Sequence, residues 1–237
     1  MSYLILVRHG QSVWNLENRF TGWVDVDLNE NGRAQAKKAG ELIKEKKIKI
    51  DLYYSSFQWR AKNTLKIIQE KLNDYKNVET AWQLNERHYG SLTGLNKDEM
   101  KQKIGEDKVH QFRRSWDLRP DPLDKSSPYH PLNINIYKSI PTEKIPDTES
   151  LKDTYERVIK FYNEEIETIF KDKNILISAH GNSIRALCKY LFNLDDKEIS
   201  KLEIPTGNPL LMKFDKENKL FNCEYLDLER AKDLLVY

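Results

Sequence analysis

Two short apolar runs in this chain end on the same dipeptide. Tyr3-Leu4-Ile5-Leu6-Val7 leads through Arg8 into His9-Gly10, and Asn174-Ile175-Leu176-Ile177-Ser178 leads through Ala179 into His180-Gly181. Each run is short, rich in β-branched residues and closed by a glycine, the pattern of a buried strand that breaks into a loop. Two such strands in one parallel sheet present both histidines at its C-terminal edge, where open α/β sheets bind their ligands.

The rest of the chain predicts strands and helices in alternation. A helix is expected from about Asn29, its N-cap, to Lys46, with Ala34, Ala36, Ala39 and Leu42 as its apolar stripe. A strand over 51–54 follows. Ser55-Ser56 is then read as the cap of a helix from Phe57 to about Lys71, and Trp82 to Leu84 as a short extended piece. A helix over 149–170, a helix over 183–193 and a strand pair at 210–214 and 220–225 complete the pattern. This is α/β: a three-layer α/β/α arrangement, with a mainly parallel sheet and helices on both faces. Residues 1–237 read as one domain. Inside it, 85–148 is a long polar segment carrying six of the eight prolines and short helices near 97–104 and 108–116. A segment of that length in a compact domain is usually functional, and here it reads as an inserted, substrate-binding lid folded over the C-terminal sheet edge.

Composition narrows the classes. Charged residues make up 32% of the chain but nearly cancel, at a net +2. Nothing global therefore favours nucleic acid or a membrane surface. The two cysteines, Cys188 and Cys223, form no CxxC or Cys/His cluster, as in a reducing cytoplasm. No run approaches the ~18 apolar residues of a membrane span. The expected location is cytoplasmic.

A lone histidine at a strand end is more often structural than chemical; the repeated signature is what argues otherwise. An imidazole is a phosphate-accepting nucleophile and a guanidinium a bidentate phosphate clamp. His9 is accordingly the expected nucleophile, Arg8 a phosphate ligand, and His180 a donor to the phosphoryl group in flight. Catalysis of phosphoryl transfer is mostly positioning plus electrostatics, so further cations are needed. Arg60 is a candidate near the same edge, although a solvated helix-face charge would look the same. Glu86, in Leu84-Asn85-Glu86-Arg87-His88-Tyr89-Gly90, is the candidate acid/base. Lys97 and Arg113-Arg114 in the inserted segment fit a lid that closes cations over an anion. There is no Walker loop, HExxH or carboxylate metal cluster, and arginines stand where a metal would otherwise be expected.

These residues also carry a resemblance. Leu6-Val7-Arg8-His9-Gly10-Gln11-Ser12 is similar to the signature of the histidine phosphatase superfamily. The continuation Trp14-Asn15-Leu16-Glu17-Asn18-Arg19-Phe20-Thr21-Gly22-Trp23 resembles the cofactor-dependent phosphoglycerate mutases. So do Leu84 to Gly90, Arg113 to Asp117, Thr148 to Thr154 and Ala179-His180-Gly181-Asn182-Ser183. The resemblance runs in order from Tyr3 to about Leu226. It implies a phosphohistidine on His9, 2,3-bisphosphoglycerate as the primer that phosphorylates it, no metal, and interconversion of 3- and 2-phosphoglycerate. It implies that Arg8, Asn15, Arg60 and His180 bind the transferred phosphate and that Glu86 exchanges the proton. It further implies that Thr21, Gly22, Tyr89, Lys97, Arg113, Arg114, Gly181 and Asn182 hold the rest of the substrate, and that the chain forms a homo-dimer or higher homo-oligomer.

Two departures stand out. Trp59 and Asn63 occupy positions where basic residues are common in the family, and the tail after Ala231 is short. A phosphatase of the same fold, with water intercepting the phosphohistidine, is the alternative reading; a non-catalytic scaffold would be expected to have lost one of His9, His180, Arg8 or Arg60.

Overall fold

Alternation along the first strand builds the protein's two cores. The computed structural model describes residues 1–235. In β1 (Ser2–Arg8), Leu4 and Leu6 point to one face of the sheet and Ile5 and Val7 to the other, as a two-residue period requires. Both faces are covered. A short helix α1 (Val13–Leu16) follows β1, and then α2 (Glu30–Glu45), β2 (Leu52–Ser55), α3 (Trp59–Leu72) and the edge strand β3 (Val78–Thr80). Helices α4 (Lys97–Ile104) and α5 (Glu106–Arg114) lie in the inserted segment. The chain then forms α6 (Leu151–Phe161), β4 (Ile175–Ala179), α7 (Gly181–Leu191), α8 (Asp196–Lys201), β5 (Pro209–Phe214) and β6 (Leu220–Tyr225). Helices α2 and α3 cover the Ile5 and Val7 face through Ala39, Ile43, Leu65 and Ile68. Helices α6, α7 and α8 cover the Leu4 and Leu6 face through Val158, Ile184, Leu187 and Ile199.

The sheet order is β3-β2-β4-β1-β5-β6, with the first four strands parallel, β5 antiparallel to β1 and β6 antiparallel to β5. β1 and β4 are direct neighbours, and Arg8 lies opposite Ala179. Each histidine therefore sits one residue past the same register pair, and His9 N–H donates to Ala179 O at 2.9 Å. The expected delivery of both to one edge is what the sheet produces.

Several local expectations are corrected. Asn29 caps α2 through Gly32 N–H, as predicted, but the buried stripe is Gly32, Ala36, Ala39, Gly40 and Ile43. Ala34 is exposed and Leu42 only half-buried, because Ala34 lies about 200° around the helix from Ala36. The α3 N-cap is Gln58, whose N–H donates to Ser56 Oγ at 3.2 Å, and Ser56 Oγ also bonds His180. Trp82–Leu84 is a 3-10 turn, and the extended piece comes earlier, at β3. The polar, half-exposed Val-Glu-Thr of that edge strand lacks the apolar run that marks β1 and β4. The 149–170 helix is regular only over α6 and continues as a π-turn over Tyr162–Ile166.

Glycines let the first loop approach α2. A Cβ on Gly10 would stand 2.2 Å from Gly32 O, and one on Gly32 would stand 2.0 Å from Gln11 O, so backbone packs on backbone and neither site has room for a side chain. The inserted segment is sewn down by two small cores. One is Phe20 with Leu92, Met100 and Val109, and the other is Trp23 with Tyr137 and Ile140. The loop after β1 is thereby gripped from both sides.

One buried ion pair holds the start of the inserted segment. Arg157 of α6 pairs bidentately with Glu149, Nε to Oε1 at 2.7 Å and Nη2 to Oε2 at 3.0 Å. The same guanidinium donates to the backbone carbonyls of Gln83, Asn85 and Glu86, and Glu149 Oε2 accepts from His88 N–H. Removing one partner leaves a buried charge alone. Arg157→Met is expected to lower unfolding free energy by about 3–5 kcal/mol in urea titrations. A loss below about 1 kcal/mol, the range of an exposed pair, would show that the clamp is not needed.

Candidate active site

The end of β1 and the first turn of α7 form the floor of the site. His9 is 2% exposed. Its Nδ1 lies 2.7 Å from Gly10 O, and a carbonyl can only accept, so Nδ1 carries the proton and Nε2 keeps a free lone pair. Burial holds the His9 pKa well below the ordinary imidazole value, and Arg60 and then Arg8 reinforce this by repelling a second positive charge. His180 is lowered in the same way, by burial first and then by Arg60, His9 and Arg8. The two rings lie 5.0 Å apart, centroid to centroid. His180 Nε2 is 2.7 Å from Ser56 Oγ, a hydroxyl able to donate or accept.

Two adjoining cavities open on this floor. The inner one, of about 80 Å3, is lined by Arg8, His9, Asn15, Thr21, Gly22, Arg60 and Lys97. The outer one, of about 260 Å3, is lined by Arg114, Gly181, Asn182, Arg185, Glu203 and Lys232. Arg8, Glu86, Tyr89 and Arg113 line both. Every candidate residue from the sequence therefore reaches one of these walls except His180, which lies beside His9 with its ring tilted 58° to it.

The cations are anchored mostly on backbone carbonyls. Arg60 donates from Nη1 to Val24 O and from Nη2 to Gly22 O. Arg8 donates from Nη1 to Ile204 O, while its buried Nε has no partner. Lys97 donates to Arg19 O, and its pKa falls to about 8 through burial and the nearby Arg113 and Arg8. Carbonyl anchors fix these groups without neutralising them. Thr21 Oγ1 is also buried and unpaired. Such orphaned donors are costly unless a ligand takes them, and an anion is the ligand that fits.

Glu86 sits at the N-terminus of α7. Its Oε1 accepts from Arg87 N–H at 2.8 Å and from Asn182 N–H at 3.1 Å. Asn182 then links outward: its Nδ2 donates to Tyr89 Oη, and its Oδ1 accepts from Arg185 Nη1. Asn15 Oδ1 accepts from Ser12 N–H, which leaves its amide NH2 as the donor toward the inner cavity. Arg113 and Arg114 fall in the last turn of α5.

Sequence reasoning missed some of this wall. Ser56 was legible only as a helix cap. Gln58 binds both sides of the site, its Oε1 accepting from Glu86 N–H and its Nε2 donating to Gly22 O, and no local pattern announces it. Arg185 stands three residues after Asn182 on one helix, a spacing that could have suggested the contact. Lys232 comes from the short tail, which Arg230 ties down on Thr206 O and Gly207 O. The two substituted positions line neither cavity. Trp59 is 51% exposed, and Asn63 bonds Asp27 at 2.7 Å. Among the described residues no group of histidine, cysteine and carboxylate side chains could hold a metal, and no helix is long and apolar enough to cross a membrane.

The chain is similar to known proteins in sequence and in fold. The family model for the histidine phosphatase superfamily, branch 1, matches residues 4–224. A 2,3-bisphosphoglycerate-dependent phosphoglycerate mutase of Pelagibacter ubique is 69% identical over the full length of both chains. One of Borreliella burgdorferi is 48% identical over 95% of this chain and 92% of its own. The solved structure of Bacillus stearothermophilus YhfR superposes with a TM-score of 0.69 over 93% of this chain and 95% of its own, at 21% identity, a likeness of fold. With the two strand-end histidines, the cation-lined cavities and these matches together, the chain belongs to the 2,3-bisphosphoglycerate-dependent phosphoglycerate mutases of the histidine phosphatase superfamily.

Proposed function

We propose that the protein interconverts 3-phosphoglycerate and 2-phosphoglycerate through a phosphohistidine on His9, with 2,3-bisphosphoglycerate supplying the priming phosphoryl group. The observation that carries this reading is the His9 ring: neutral, protonated at Nδ1 by its bond to Gly10 O, and therefore nucleophilic at Nε2 beside a wall of unneutralised cations. The orphaned Arg8 Nε and Thr21 Oγ1, with the Asn15 amide and Arg60, suit a phosphoryl group in the inner cavity. His180 stabilises charge on the transferring oxygens. The outer cavity, through Arg113, Arg114 and Asn182, takes the second anionic group.

Glu86 lies where the two cavities meet. It is held by Arg87 and Asn182 through Oε1, so Oε2 is free to take the proton of a substrate hydroxyl as phosphate leaves His9, and to return it on the reverse step. Gly22, Tyr89, Lys97 and Gly181 shape the walls around the glycerate. Segment 85–148 acts as the lid that keeps water from the phosphohistidine. No step calls for a metal.

Three measurements check this reading. Turnover of 3-phosphoglycerate in EDTA is expected to require trace 2,3-bisphosphoglycerate and to yield 2-phosphoglycerate with little free phosphate, and His9→Ala is expected to be inert. Free phosphate without isomerisation would make the protein a phosphatase, and inhibition by EDTA would point to metal chemistry. Glu86→Gln is expected to lower kcat roughly 10²–10⁴-fold, the usual worth of a positioned acid/base, with a smaller change in KM; an unchanged kcat would remove Glu86 from proton transfer. The ring resonances of His9 and His180 should show no titration as pH falls through about 6.5, since both pKa values lie lower. The unfolded chain takes up protons there while the folded one does not, so folding stability should decline as pH drops below that value. Two ordinary titrations near 6.5 would mean that the rings are not held neutral.

A further inference from the structure

One carboxylate in the outer cavity has no part in the reaction as derived. Glu203 lies in the loop between α8 and β5. Its Oε1 accepts from Arg114 Nη2 at 2.5 Å, and its Oε2 is 3.8 Å from Lys232 Nζ. All three side chains line the outer cavity, together with Arg8, Arg113 and Arg185. A negative charge in a cavity that takes a polyanion repels it. The arrangement is therefore a cost unless the carboxylate can leave.

The geometry allows it to leave alone. The Glu203 side chain is 49% exposed and the Arg114 side chain only 18%. Arg114 also keeps a second anchor, from Nη1 to Leu202 O at 3.3 Å. The loop itself is pinned: Ile204 O accepts from Arg8 Nη1, Gly207 N–H donates to Arg8 O, and Thr206 O accepts from Arg230. A rotation of one side chain thus frees Arg114 without moving the loop or the inner phosphate site.

We propose, on the basis of the mutase reading above, that Glu203 is an exchangeable counter-ion. It holds Arg114 and Lys232 while the outer cavity is empty, and it swings to solvent when the distal anionic group of the phosphoglycerate takes Arg114. Glu203 thereby sets the affinity of the outer cavity for its anion. It exchanges one ion pair for another at nearly constant charge around Arg114, which weakens the hold on the anion and so favours release of product.

The test is calorimetric binding of 3-phosphoglycerate to the unphosphorylated protein at low and high salt, with kcat and KM measured alongside. Glu203→Gln is expected to bind roughly three- to tenfold more tightly at low salt, the effect of removing one nearby like charge at a partly exposed site. The gap should narrow at high salt, as a through-space charge effect must, and KM should fall by more than kcat changes. Glu203→Asp, which keeps the charge, is expected to bind like the parent protein. Unchanged or weaker binding by Glu203→Gln would overturn the proposal and make Glu203 a fixed support for Arg114. Failure of the parent protein to bind or isomerise 3-phosphoglycerate would instead overturn the mutase reading.

Discussion

The hydrogen bond from His9 N–H to Ala179 O is the point on which the site depends. It continues the β1–β4 pairing one step past the strands, so the first loop leaves the sheet in register with the start of α7. His9 and His180 then reach the same edge from adjacent strands, 5.0 Å apart, with no need for a flexible element to bring them together. Everything else at the edge is placed relative to this pair. Gly10 lets the loop turn away against Gly32 of α2. Ser56, at the end of the next strand but one, reaches His180 Nε2. A site built on strand ends and a helix start is stiff, which suits chemistry that relies on positioning.

Stiffness alone would leave the positive charge unexplained. Arg60 is buried and Arg8 and Lys97 are half-buried, and burial opposes the charge of all three. A fold optimised for stability would pair them with carboxylates. Here their bonds run chiefly to carbonyls, of Ile204, Val24, Gly22 and Arg19. A carbonyl supplies partial negative charge and direction but no full compensating charge, so the field in the cavity stays positive. That field adds to burial, the larger cause, in lowering the histidine pKa values and keeping Nε2 of His9 unprotonated. In the proposed reaction the arginines that would bind the phosphate therefore also help to keep its acceptor nucleophilic.

The central layers were legible because their signals are local. β1 and β4 are apolar runs closed by glycine, Asn29 is an N-cap where one was read, and the helices near 97–104 and 106–114 fall close to the predicted spans. The site residues at strand ends were legible for the same reason. Failures arose where tertiary contact overrode local pattern. Ser56 has the chemistry of a cap but also bonds His180, and Gln58 takes the cap position; β3 is a strand only because β2 offers an edge. Gln58, Arg157 and Glu203 carry no motif. Their roles come from contacts made across long stretches of chain, as when Arg157 gathers the carbonyls of Gln83, Asn85 and Glu86, and single-sequence reading has no access to these.

In the proposed mutase reaction, the shared wall between the two cavities gives segment 85–148 its part, through Glu86, Tyr89 and Arg113. A phosphatase needs one anion site, a nucleophile and water. An isomerase that moves a phosphoryl group between neighbouring hydroxyls needs two anion sites of comparable strength, so that either end of a bisphosphate can face His9. β1, α3, the loop after β1 and Lys97 of α4 line the inner cavity, while α5, the start of α7, the 202–207 loop and Lys232 line the outer one. Arg8, Glu86, Tyr89 and Arg113 belong to both, and Glu86 stands at their junction. A proton acceptor at that position serves whichever hydroxyl is presented to it. In the proposed reaction the same carboxylate therefore suffices for both directions, and reorientation of the substrate, rather than of the protein, exchanges the roles of the two hydroxyls.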